Sequence, residues 1–192
     1  IPRYKYKLFN ATYKSGTTEQ LIDVVFENET STTGTVTCTY ASNGRETCQN
    51  KANGNWYTHP AFTLGNSELK GIWVGKFETT GNTATPTIKP GITSLREMSV
   101  PNMYSVGKLF RSTNYITAEG VNHADSHMMK NIEWGAVAYL KQSIYGLGIT
   151  DITYNDNGSY LTGGKSYKTK TGQSTTGNIT GVYDMSGGAY EY

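Results

Sequence analysis

Arg3 to Phe9 alternates apolar and charged positions, with Tyr4, Tyr6 and Leu8 on one side and Arg3, Lys5 and Lys7 on the other. That period-two pattern predicts a half-buried β-strand. Ile22, Val24 and Phe26 share a face in Leu21–Phe26 and predict a second strand. Thr35–Tyr40 and the segment after Asn43-Gly44 predict an antiparallel hairpin, because Asn-Gly is a strong signal for a tight turn. Asn50–His59, punctuated by Asn53-Gly54-Asn55, reads as loop, and Gly71–Glu78 as a strand of buried character. Gly81–Pro90 reads as a loop of Thr, Asn, Ala and Pro. A helix is expected from Ser99, an N-cap residue, with Pro101 in the first turn where its missing N–H does no harm. Met103, Val106, Gly107 and Phe110 form its apolar stripe, and Gly107 leaves room for another element to approach closely. A second helix is expected from Lys130 to Gln142, burying Ile132, Ala136, Tyr139 and Leu140, with Glu133 and Val137 beside them. Ile149–Tyr154 and Ser159–Leu161 flank Asn155-Asp156-Asn157-Gly158 as a further hairpin, and Thr162–Gly177 reads as surface loop. Two short helices among short strands and long loops define an α+β class in one domain spanning 1–192.

Charge changes the picture by exclusion. Lys and Arg exceed Asp and Glu by only two over 192 residues, and no basic run is dense enough to track phosphates, so nucleic acid is not an expected partner. Only 17% of residues are charged, while Gly (22) and Tyr (15) are abundant, a balance that suits a β- and loop-rich extracellular protein. No apolar run approaches the roughly 20 residues that span a bilayer. The chain opens at Ile1-Pro2 and reads as a mature piece of something longer. Cys38 and Cys48 flank the Asn43-Gly44 turn, where antiparallel strands would face the sulfurs toward each other; a disulfide is expected, and with it an oxidising compartment. Two free thiols are the alternative.

Ile1-Pro2, Gly75-Lys76-Phe77-Glu78-Thr79-Thr80, Glu133-Trp134 and Gly181-Val182-Tyr183-Asp184-Met185-Ser186-Gly187 are four segments that, in this order, resemble the formylglycine-generating-enzyme-like (sulfatase-modifying factor) family. Ile1-Pro2 leading into an alternating strand is similar to that family's opening strand. Gly75-Lys76-Phe77-Glu78-Thr79-Thr80 resembles its G-K-Y-E-V-T-N segment, and the Glu133-Trp134 pair with its following helix resembles R-L-P-T-E-A-E-W. The closing Gly181-Val182-Tyr183-Asp184-Met185-Ser186-Gly187-Gly188-Ala189-Tyr190-Glu191-Tyr192 is the most specific, resembling G-L-Y-D-M-x-G-N-V-W-E-W. The resemblance implies a C-type-lectin-like fold whose C-terminal part is missing here, since the chain stops at a run that lies inside the family's domain. A stretch of about 11–57, carrying the cysteine hairpin, has no counterpart and reads as an insertion. A looser similarity is to surface and prophage-type proteins of Gram-positive bacteria.

The chemistry of the family does not carry over. Its oxidising members use a cysteine pair placed after the closing run, whereas Cys38 and Cys48 lie in the unmatched stretch. His123 and His127 would share a face only if helical, and Asp151 and Asp156 do not match a calcium loop, so no metal or other cofactor is expected. Glu133 and Glu191 fit capping and core-edge roles. Trp56, Tyr57, Tyr154, Tyr160, Tyr167 and Tyr190 sit in or beside loops rich in Asn, Thr and Gly, the mixture found in recognition surfaces; the alternative for each is a lid over the core. The expectation is a non-catalytic, secreted or cell-surface module that recognises a glycan or a protein through these six residues. A structural subunit of a filament, pilus or phage tail, completed by a neighbouring copy, is the second reading, and a formylglycine-generating-type oxidase the third.

Overall fold

Tyr4 is fully buried at the head of strand β1 (Tyr4–Lys7), and the alternation that begins there organises the first of two compact units. The computed structural model describes residues 1–7, 21–28, 56–111, 125–164 and 166–190, and the backbone alone at 38–40 and 46–48. Leu8, the cysteine side chains, His123 and Glu191 lie outside the described residues. One unit comprises Ile1–Trp73 and Ile132–Asp151, the other Val74–Asn131 and Ile152–Tyr192. The described architecture is α+β, with two α-helices and short antiparallel strand pairs.

In the first unit, β1 is the central strand of an antiparallel sheet, between β2 (Asp23–Phe26) and β5 (Tyr57–Thr58). Tyr6 stands opposite Val24 on one side and Tyr57 on the other. Ile22 and Val24 enter the core as their spacing predicts, while Phe26, expected on the same face, is exposed at the end of β2. Part of the expected 50–59 loop is β5, because Tyr57 gains the ring of Tyr6 as a cross-strand neighbour. The helix α2 (Asn131–Lys141) is tied to the sheet by the Tyr4 hydroxyl, which donates to the Ala136 carbonyl at 2.7 Å. That bond, and the close approach of His59 to Gly135, centre the buried face on Ala136 and Val137. Ile132, expected in the stripe, is consequently exposed.

Arg3 departs further from the alternation. Instead of facing solvent it is fully buried, because Nε donates to Glu27 at 2.7 Å and Nη1 to Glu68 at 2.6 Å. Glu68 reaches it from a hairpin of β6 (Thr63–Leu64) and β7 (Ser67–Glu68). Elsewhere in this unit β3 (Cys38–Tyr40) and β4 (Glu46–Cys48) form the predicted hairpin, with Cys38 directly opposite Cys48 in the register.

In the second unit, α1 (Val100–Leu109) begins after Ser99 as expected. The Ser99 carbonyl accepts from Asn102 and Met103, while its hydroxyl makes no capping bond. Val106 is buried and Met103, Gly107 and Phe110 are half-buried, as the stripe requires. A Cβ on Gly107 would lie 3.0 Å from the Met128 amide nitrogen, so this glycine does admit a neighbouring backbone. The expected 81–90 loop is instead a hairpin of β8 (Thr79–Gly81) and β9 (Pro86–Ile88), pinned by Thr80 and Thr87 hydroxyls at 2.7 Å. Gly71–Glu78 is not a strand: Trp73 within it is fully exposed, and its backbone bonds go to separate partners, with the Ile72 amide donating to Ile1 and the Lys76 carbonyl accepting from Tyr183.

His59 links local geometry to stability. Its Nδ1 accepts from the Ala61 amide at 3.2 Å and caps the 3₁₀ turn Pro60–Phe62, so the neutral ring carries its proton on Nε2. Enclosed by Tyr4, Tyr6, Phe62 and Tyr139, it is lowered by burial to about 4. An unfolded histidine titrates near 6.5. Between those values the unfolded chain binds a proton that the folded chain refuses, so stability is complete above about pH 6.5 and falls as pH drops toward 4. The expected loss is about 3 kcal/mol, read by urea unfolding at pH 7 and pH 4. It should be absent in His59→Asn, which keeps an acceptor for the cap but does not titrate; equal pH slopes in the two proteins would refute the assignment.

Candidate functional site

Asp184 is a buried carboxylate at a left-handed backbone position, φ +62°. Its Oδ1 accepts from Asn155 Nδ2 at 2.9 Å, and its Oδ2 from Thr162 Oγ1 and the Gly163 amide, both at 2.7 Å. Charge-assisted bonds of this kind are the strong ones, and three of them offset the desolvation of a buried carboxylate. Thr162 passes the connection on: its Oγ1 accepts from the Glu78 amide at 2.9 Å, and its backbone bonds Gly91 and Ile92. The Thr162–Gly177 stretch is therefore not simply surface loop. Thr162 and Ser174 are fully buried, because each finds partners inside.

Glu78 performs a second fastening. Its Oε1 accepts from the Ala189 amide at 2.9 Å, and its Oε2 from the Ser94 hydroxyl. Gly188, at φ +83°, lies so close that a Cβ there would collide with this carboxylate. Asn155 completes the closure, donating its amide to Ser186 and accepting from the Gly188 amide, both at 2.9 Å. These bonds replace the expected hairpin around Asn155–Gly158: the turn forms, with Asn157 accepting from Tyr160, but Leu161 pairs with Thr93 and Asn155 with Gly187. Below the network, Tyr183 packs between Phe77 and Tyr167 at 5.1 and 5.8 Å, and its hydroxyl donates to the Tyr167 carbonyl at 3.0 Å. Burial raises the Tyr183 hydroxyl above its ordinary pKa.

The six expected contact residues divide sharply. Tyr57 is core, and Tyr167 packs edge-on against Phe77, so its ring is engaged in support. Trp56 is half-buried with Lys7 over its ring. Tyr154 (63% exposed) and Tyr190 (92%) present their side chains to solvent. They immediately precede Asn155 and follow Ala189, so the two bonds between Asn155 and the 186–188 backbone bring their chain segments side by side. Tyr160, at φ +53°, is half-buried beneath the Arg96 guanidinium, 4.0 Å from its ring centroid.

Asn155, Thr162, Glu78 and Arg96 complete the site, and sequence reasoning passed over their roles. Asn155 and Thr162 read as turn and loop, and Arg96 lies between two unremarkable segments. Glu78 stands within a family-like segment, as Asp184 does within the closing run. The remaining polar candidates lie elsewhere: Asp125 is 3.0 Å from His127 Nδ1, and Asp151 is 3.6 Å from Lys141. The oxygens of Asp184 and Glu78 are turned to protein donors, which suits them to hold backbone. In comparisons with known proteins, no family model matches the chain and no curated protein matches it.

Replacing Asp184 with Ala strands three buried donors and places a Cβ-bearing residue without local hydrogen bonding at positive φ. The expected destabilisation of the second unit is about 3–5 kcal/mol, with Asp184→Asn losing less because it keeps one acceptor and tolerates the left-handed region. Denaturant unfolding and amide exchange at Gly163 and Gly188 measure both; an unchanged Asp184→Ala protein would contradict the role.

Proposed function

We propose that the chain is a secreted or cell-surface recognition module of C-type-lectin-like fold, binding a glycan or a protein without catalysis. The observation that carries this reading is the pair Tyr154 and Tyr190, two exposed rings on segments held together by a buried polar network. Aromatic side chains on pre-organised loops lose little conformational entropy when a ligand arrives, and they supply flat apolar area with a polar tip. The fold assignment rests on the four family-like segments, with support from what three of them do. Gly75–Thr80 and the closing run meet through the Lys76–Tyr183 and Glu78–Ala189 bonds, and the Glu133-Trp134 pair opens α2.

A secreted or surface location is supported by the cysteine hairpin. Residues directly opposed on antiparallel strands have Cα atoms about 4.5–5.5 Å apart, within the range a disulfide spans, and Cys38 and Cys48 are so opposed. Reduction of the intact protein should raise its mass by about 2 Da; an unchanged mass would remove this support.

The function is tested by screening the chain against glycan and surface-protein arrays. Tyr154→Ala and Tyr190→Ala should each weaken the interaction about tenfold or more while leaving the unfolding midpoint unchanged. Undiminished binding by both variants would reject the site. Large particles or filaments from the unmodified chain in light scattering would instead identify a structural subunit.

A further inference from the structure

Arg96 is held over an aromatic ring by the backbone leading up to it. Segment 92–96 is pinned beside 160–162: Ser94 donates its amide to the Tyr160 carbonyl at 2.9 Å, Thr162 donates to Ile92 at 3.1 Å, and Thr93 bridges Leu161. This places the Arg96 guanidinium 4.0 Å above the Tyr160 ring, at a residue held in the left-handed region where a bulky side chain is an outlier. Glu97, the next residue, is also left-handed at φ +61°. Such conformations persist only where surrounding structure enforces them, and they concentrate at ligand sites. Among the described residues, Arg96 donates no hydrogen bond to protein; its one ion pair is to Glu97 Oε1 at 3.6 Å, between side chains 39% and 80% exposed. An exposed pair at that distance contributes little. A stacked guanidinium with its N–H groups unspent is pre-organised for a two-pronged grip on a carboxylate.

The same hydrogen-bonded cluster carries the exposed tyrosines. Ser94, which fixes Tyr160, also donates to Glu78, and Glu78 holds the Ala189 amide next to Tyr190. Asn155, next to Tyr154, holds the Gly188 amide and accepts from Asn157, which bonds Tyr160. Arg96, Tyr154, Tyr160 and Tyr190 thus issue from one network within one unit. We propose that this surface binds a carboxylated glycan, with Arg96 taking the carboxylate and Tyr154 and Tyr190 stacking on sugar faces. A pyranose offers an apolar face and a hydroxyl edge, which suits flat rings on chain segments rich in short polar residues, such as Asn157 and Ser159, better than an extended acidic peptide does. The proposal rests on the recognition reading above and names its ligand class.

The test is an array printed with sialylated oligosaccharides, uronate oligomers and glycosaminoglycan fragments beside their neutral counterparts and Asp/Glu-rich peptides, probed with the full chain. Carboxylated glycans should bind, more weakly as salt rises. Arg96→Gln should lower their affinity about tenfold or more. Glu97→Gln removes the carboxylate that competes for the guanidinium, and should raise affinity about twofold; a merely structural Arg96 would not produce that gain. Preference for neutral glycans, or affinity indifferent to both variants, overturns the ligand class but leaves the recognition site standing. Peptides captured in place of glycans overturn it as well, and silence on glycan and protein arrays alike overturns both readings.

Discussion

The second unit depends on a single buried carboxylate. Asp184 gathers a side-chain amide from Asn155 and, from the adjacent Thr162 and Gly163, a hydroxyl and a backbone amide, and both Asn155 and Thr162 hold further partners. Asn155 extends the set to the 186–188 backbone, and Thr162 extends it to Glu78, Gly91 and Ile92. This part of the molecule has little regular secondary structure to satisfy its main chain, so buried polar groups must find partners one by one. A fully bonded carboxylate is suited to the task because it accepts from several directions at once and desolvates safely only when all are filled. The cost is conformational: Asp184 and Tyr160 both occupy the left-handed region.

The first unit solves the complementary problem with a cation and a ring. Arg3 spreads its donors over Glu27, Glu68 and the Phe62 and Leu69 carbonyls, closing the side of β1 opposite the aromatic core. Tyr4, on the core side, fills that interior and spends its hydroxyl on α2. Removing either polar partner from such an arrangement is costlier than the pair's own contribution, because the survivor is left buried and unbonded. His59 shows the same economy: its ring packs against four aromatic neighbours while one nitrogen caps a turn.

Rigidity and exposure meet at Tyr154 and Tyr190. A loop can present an aromatic ring usefully only if the backbone beneath is already ordered, and here it is ordered by Asn155 and Glu78. Tyr57 and Tyr167 illustrate the contrast. They have the same chemistry and comparable loop surroundings in the sequence, yet their rings meet Tyr6 and Phe77. Residue type made all six aromatics candidates, and neighbours in space separated support from presentation.

How much was legible follows from which forces are local. Tyr4, Tyr6, Val24 and the stripe of α1 were readable because strand and helix periods are written in consecutive residues, and the pairing of Cys38–Tyr40 with Glu46–Cys48 was readable from the Asn-Gly signal in the sequence between them. The Gly71–Glu78 strand and the Asn155–Gly158 hairpin failed for one reason: their backbone groups are claimed by partners far along the chain, Tyr183 for one and Ser186 to Gly188 for the other. Ile132 failed because which side of α2 is buried depends on where Tyr4 and His59 meet it. The amino-acid sequence alone determined the α+β class, both helices and the first strands. Only the tertiary structure decided that Asp184 and Glu78 fasten loops, that Arg3 lies inside, and that Arg96 stands over Tyr160, because a buried charge is tolerable only where distant donors converge on it, and convergence in space has no signature along the chain.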